Sequence, residues 1–104
     1  MNSVKESLMK NFESLGKEKV SVIHSAFDEK PHVVALVEVD KTLSDEDKCE
    51  KAFMLTNSIE DGWWNNDGVT PMFDGGGCRS TSSGDYVLVG NTKYLCADVG
   101  WEKI

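Results

Sequence analysis

Cysteine, proline and histidine are all scarce in this chain: three, two and two of 104 residues. The cysteines (Cys49, Cys78, Cys96) are odd in number and none belongs to a C-x-x-C pair. A disulfide framework and a zinc site are both excluded as organising principles, because each needs ligands paired at characteristic spacings. His24 and His32 add no metal-ligand spacing, so neither a metal nor a cofactor is expected. Long apolar runs are missing as well. The longest, VVALV at 33–37, is far short of the roughly 20 residues that a transmembrane helix requires. The opening stretch, MNSVKESLMKNFESLG, is charged throughout and lacks the apolar core of a signal peptide. These absences point to a cytoplasmic protein with no membrane association.

Positive charge is in short supply too: 11 Lys and Arg stand against 18 Asp and Glu, a net charge of −7. Phosphate-backbone binding depends on clustered basic side chains and counterion release, so this balance argues against a nucleic-acid partner. It also weakens base stacking as a role for the tryptophans. The acidity serves solubility or meets a basic partner. The one dense acidic run, Asp45-Glu46-Asp47, is accounted for by a helix start.

What is present is the composition of a folded domain, 39% hydrophobic and 28% charged, in a chain long enough for one core and too short for two. Val4, Leu8, Phe12 and Leu15 share one face of a helical period, with a Ser3–Glu6 capping box and Gly16 as the stop. Two β-branched runs follow, VSVIHSAF (20–27) and HVVALVEV (32–39), around the polar loop Asp28-Glu29-Lys30-Pro31. In the second run Val33, Ala35, Val37 and Val39 fall on one face, and His32, Val34, Leu36 and Glu38 on the other. The period turns helical again in TLSDEDKCEKAFMLTNSI. Ser44 is the N-cap, Cys49, Ala52, Phe53, Thr56 and Ile59 lie on one side, and Gly62 is the stop. WWNNDGVTPMFDGGG (63–77) shows no period and reads as a long loop. Tyr86–Val89 and 93–99 then flank Gly90-Asn91, the composition of a type II′ hairpin that sets Val89 opposite Thr92 and Val87 opposite Tyr94. The expected fold is a single α+β domain over 1–104. It has an antiparallel sheet of about four strands in two hairpins, with two helices on one face, in the order α-β-β-α-β-β.

The segment FDGGGCRSTSSGD (73–85) concentrates the unusual chemistry. It lacks the lysine and the following helix of a Walker phosphate loop. Arg79 with Ser80, Thr81 and Ser82 nonetheless offers a guanidinium and hydroxyl donors to an anion. Gly84 and Asp85 read as a turn: glycine for positive φ, aspartate for an Asx-type bond. A nucleophilic Cys78 needs a base within reach. Both histidines fall in strand-like runs at opposite phases, and no catalytic residue is assigned. Adjacent Trp63 and Trp64 cannot face the same way, so one covers the core while the other is left for contact. Trp63, Trp64, Asn66, Arg79, Ser80 and Thr81 form the candidate binding set.

Taken together, Ala52-Phe53-x-Leu55-Thr56-Asn57-x-Ile59, Trp63-Trp64-x-Asn66-x-Gly68-Val69-Thr70, Cys78-Arg79-Ser80-Thr81-Ser82-x-Gly84-Asp85 and Tyr94-x-Cys96-Ala97-x-x-Gly100-Trp101-x-x-Ile104 carry a resemblance. The chain over 43–104 resembles small proteins of bacteriophages and plasmids that have an R-S-x-S-V-G-D segment before a terminal hairpin. More distantly it is similar to YodL-like domains of mobile elements, some of which sit near antirestriction functions. This chain departs from the pattern at Ser83, where valine is common, and in its Gly75-Gly76-Gly77 run. The resemblance implies an accessory protein of a phage or plasmid in the cytoplasm of a bacterial host. Together with the acidic balance and the Trp- and Arg-bearing loop, it gives the reading of a non-enzymatic protein that binds a host protein, defence or transcription components among the candidates. The alternative is a small-molecule, nucleotide or phosphate-binding protein, or a weak enzyme, that uses the 78–85 loop.

Overall fold

The computed structural model describes residues 16–57 and 62–104. Six strands form one antiparallel sheet: β1 (Lys17–His24), β2 (His32–Asp40), β3 (Val69–Pro71), β4 (Tyr86–Val89), β5 (Thr92–Cys96) and β6 (Trp101–Lys103), in the spatial order β3-β2-β1-β4-β5-β6. One α-helix, α1 (Asp45–Leu55), is present among the described residues and packs against β1, β2 and β4; Trp63–Asn65 forms a single 3-10 turn. This corrects the expected α+β arrangement of four strands and two helices, because the fold is mostly β. Both expected hairpins form, β1 with β2 and β4 with β5, and they join through the β1–β4 ladder. The two additional strands are three residues each, cut from the segment read as a long loop and from the tail. Pieces so short carry no measurable alternation. As an edge strand, β3 also tolerates Pro71, which could not donate to a central ladder. The helix expected before Gly16 lies outside the described residues.

Alternation gives the sheet one dry face. Val20, Val22 and His24 of β1, Val37 and Val39 of β2, and Val87 and Val89 of β4 are all buried. Cys49 and Ala52 of α1 cover them, three residues apart on one helical face. The strict alternation expected in β2 breaks at a bulge. Val22 pairs with Ala35 but Ile23 pairs with Val33, which leaves Val34 as the extra residue. Val34 and Ala35 are consecutively buried, and Val33 is 39% exposed rather than inward.

The ends of α1 follow local chemistry. Ser44 Oγ accepts the Asp47 N–H at 3.2 Å, and three acidic residues occupy the first turn, as expected for a capped N-terminus. The C-terminus comes earlier than expected, at Thr56 rather than Gly62. The Thr56 hydroxyl donates back to the Ala52 carbonyl at 2.8 Å, and its N–H closes the last turn. In the β4–β5 turn Gly90 has φ +59°, and no described non-glycine residue has positive φ, so Asn91 excludes type I′ and leaves the type II′ turn. The register is Val89 with Thr92 and Val87 with Tyr94.

Candidate functional site

Where β1 ends and β4 begins, three loops meet on one buried carboxylate. Asp85 has no exposed surface, and it accepts five hydrogen bonds. Its Oδ1 takes the N–H groups of Ser25 and Ala26 at 2.8 and 2.9 Å. Its Oδ2 takes the Ser82 N–H at 2.9 Å. The Arg79 guanidinium binds both oxygens at 2.8 Å, the bidentate geometry that suits Arg rather than Lys. Burial alone would raise this carboxyl. Arg79 and the three backbone donors outweigh it and hold the pKa down to about 2. Arg79 also reaches Asp28 Oδ2 at 2.9 Å, a bond that lowers the Asp28 carboxyl in turn.

The turn chemistry is what the local sequence dictates. Gly84 has φ +97°, and a Cβ there would lie 2.9 Å from the Ala26 Cβ, so conformation and space both demand glycine. The Asp85 N–H bonds the Ser82 carbonyl at 3.0 Å while the Asp85 carboxylate binds the Ser82 N–H, so the turn and the ion pair are one unit.

Behind the ion pair lies a second, drier set of contacts. His24, 1% exposed, places Nε2 2.9 Å from Thr81 Oγ1, and Thr81 Oγ1 is 2.8 Å from Thr56 Oγ1. On its other side His24 Nδ1 faces Cys78 Sγ at 3.7 Å. Burial pushes the His24 pKa down, against the pull of Asp85. Burial pushes the Cys78 thiol up, against the Arg79 charge. The segment carrying Cys78 and Thr81 is laced in place by the Thr81 N–H on Thr56 O, Asn57 Nδ2 on Thr81 O and Trp63 Nε1 on Arg79 O.

The candidate binding residues separate by depth. Trp63 is 1% exposed and Thr81 fully buried, which corrects their assignment to a contact surface: the indole belongs to the core and the threonine to the His24 chain. Trp64, Asn66, Arg79 and Ser80 are half-buried. Asn66 spends its side-chain amide on the Leu55 carbonyl at 2.8 Å. Trp64 packs edge-on to Trp63 and Phe73 and lies against Gly77. Sequence reasoning passed over Phe27, and weighed His24 as a base for Cys78 without a sign that the two meet. Phe27 is 76% exposed with the Arg79 guanidinium 5.0 Å above its ring. His24 is brought to Cys78 only by the tertiary fold. Fifty-four positions separate that pair, and no local spacing signals it.

Two further features bear on chemistry. Among the described residues, no group of three or more His, Cys, Asp or Glu side chains is arranged to hold a metal, and no helix is long and apolar enough to cross a membrane. A cleft of about 200 Å³, lined by Glu50, Phe53, Cys96 and Trp101 among others, also takes in Ser83 of the 79–85 turn. It is smaller than the roughly 300–1,000 Å³ of ordinary small-molecule pockets. No family model, curated protein or solved structure matches this chain.

Proposed function

We propose that this protein is a binding module that docks on another protein through the surface around Phe27, Arg79 and Trp64. The carrying observation is Phe27: a large aromatic left 76% exposed, with its ring under a guanidinium that is itself fixed by two carboxylates. An exposed aromatic beside an immobilised arginine has the make-up of an interface hot spot, since neither group loses much freedom on binding. The net charge of −7 favours a partner with a basic surface. The resemblance to phage and plasmid accessory proteins adds a bacterial host protein as the partner, and the cytoplasm as the place. The anion-binding alternative is less well supported, because Arg79 already serves Asp85 and Asp28 and an incoming phosphate must displace a carboxylate.

Phe27→Asp is the informative variant. The side chain is exposed, so stability should stay within about 0.5 kcal/mol of wild type. The wild-type chain, immobilised in bacterial host lysate, should retain a discrete partner that Phe27→Asp does not retain. Equal retention by both chains, or none by either, defeats the reading.

A further inference from the structure

The hydrogen-bond chain behind the ion pair has a direction, and its inner end sets it. The Ala52 carbonyl cannot donate, so its 2.8 Å contact with Thr56 Oγ1 uses the Thr56 hydroxyl proton. The 2.8 Å contact between the two threonine hydroxyls must then use the proton of Thr81. Thr81 Oγ1 is left as an acceptor 2.9 Å from His24 Nε2, so Nε2 carries the imidazole proton. The carboxylate of Asp85, 3.9 Å from Nε2, favours the same tautomer. Nδ1 is therefore the bare lone pair, and the group it faces is the Cys78 thiol at 3.7 Å.

We propose that Cys78 is a nucleophile that accepts an acyl group from a thioester or activated ester, with His24 Nδ1 as its general base and Thr81 as the positioning residue that fixes the tautomer. The arrangement has the parts this chemistry requires: a thiol on a half-buried residue, a base facing it, and a third group orienting the base. The charged and titratable groups facing His24 are Asp85 and Arg79 of the turn, Asp28 of the β1–β2 loop, and His32 of β2, whose ring centroid is 6.3 Å away. With burial dominant, both members of the pair rest neutral at pH 7, and the proton moves during attack rather than before it. A resting thiol suits general-base acyl transfer better than disulfide exchange, which draws on pre-formed thiolate. Cys49 and Cys96 are buried free thiols, and neither is in hydrogen-bond contact with Cys78.

The step balances without an oxidant or reductant. The Cys78 Sγ–carbon bond forms as the S–H proton passes to His24 Nδ1. Collapse of the tetrahedral adduct breaks the bond to the donor's leaving group, which departs with the proton returned from Nδ1. The products are an acyl-thioester on Cys78 and a free thiol or phenol.

The test uses the full chain and 4-nitrophenyl acetate, with nitrophenol release followed by absorbance and the adduct located by peptide mass spectrometry. One acetyl group should appear on Cys78, well ahead of Cys49 and Cys96. The wild-type rate should level off above the lowered His24 pKa, with a plateau across about pH 7, and fall below it. His24→Gln should cut the rate at pH 7 by about a hundredfold or more and replace the plateau with a rise of about tenfold per pH unit, the mark of free thiolate. Thr81→Val should depress the plateau and Thr81→Ser restore it. A wild-type rate that climbs tenfold per unit from about pH 6 to 8, or acetylation of Cys78 no faster than of the two buried cysteines, overturns the proposal even if the variants do not fold.

Discussion

A carboxylate with no exposed surface stays ionised in a small domain only when donors replace its water, and Asp85 has five. The consequence can be read in pH. Its pKa falls from the usual 3.8 to about 2 in the folded chain, so between those values the unfolded chain takes up the proton more readily. The stability Asp85 provides is complete above about pH 4 and is lost as the pH falls through about 2, a difference of about 2 kcal/mol. His24 acts with the same sign at a higher pH. Its pKa lies below the usual 6.5, so the fold favours the neutral ring and stability declines as the pH drops below about 6.5. Urea midpoints measured from about pH 8 downward should therefore show two descending steps, and His24→Gln should lack the upper one. A wild-type midpoint that stays level from about pH 7 to 5 contradicts the His24 assignment.

At the scale of elements, the bulge in β2 makes neighbouring valines unequal. Strict alternation puts Val33 inward with Ala35; the bulge instead buries Val34 completely and leaves Val33 at 39% exposure. Val34→Ala should cost about 2 kcal/mol and Val33→Ala under about 0.5 kcal/mol in urea denaturation. The reverse order argues for an unbroken ladder. The same strand shows what the sequence makes legible. Both hairpins and the capped start of α1 are readable, because each rests on a local pattern: β-branched runs, Gly90-Asn91, and Ser44 before three acids. The strands β3 and β6 are not, because three residues at an edge take their structure from the neighbouring strand rather than from their own period. Nor is the site. Gly84 and Asp85 are legible as a turn, but Arg79 shows no duty until its partner six positions later is seen to be buried. His24 and Cys78 meet because β1 and β4 are neighbours and because Thr56, Asn57 and Trp63 lace the 78–81 segment in place, and two hairpins read separately leave both open.

For the whole molecule, that adjacency is the critical joint. The two hairpins touch through a ladder of three residue pairs, Ser21–Leu88, Val22–Val87 and Ile23–Tyr86. Beyond its end the junction continues through side chains: Asp85 holds the N–H groups of Ser25 and Ala26, and the Ser25 hydroxyl donates to the Gly84 carbonyl at 2.7 Å. Arg79 fixes Asp85 from the other side and ties in Asp28, so one guanidinium braces both hairpins. Lysine carries the charge but cannot span two carboxylate oxygens and a second acid at once. Arg79→Lys should therefore loosen the joint locally before it lowers global stability. In native-state hydrogen exchange, the amides of Ser25, Ala26 and Ser82 should lose protection by a larger factor than those of Val20 and Val22 within the β1 ladders. Equal loss at all five positions would mean that the ladder and the core alone join the hairpins, and that the Arg79–Asp85 unit merely decorates the turn. Loss concentrated at the three loop amides would establish the ion pair as the outer half of the seam between the hairpins.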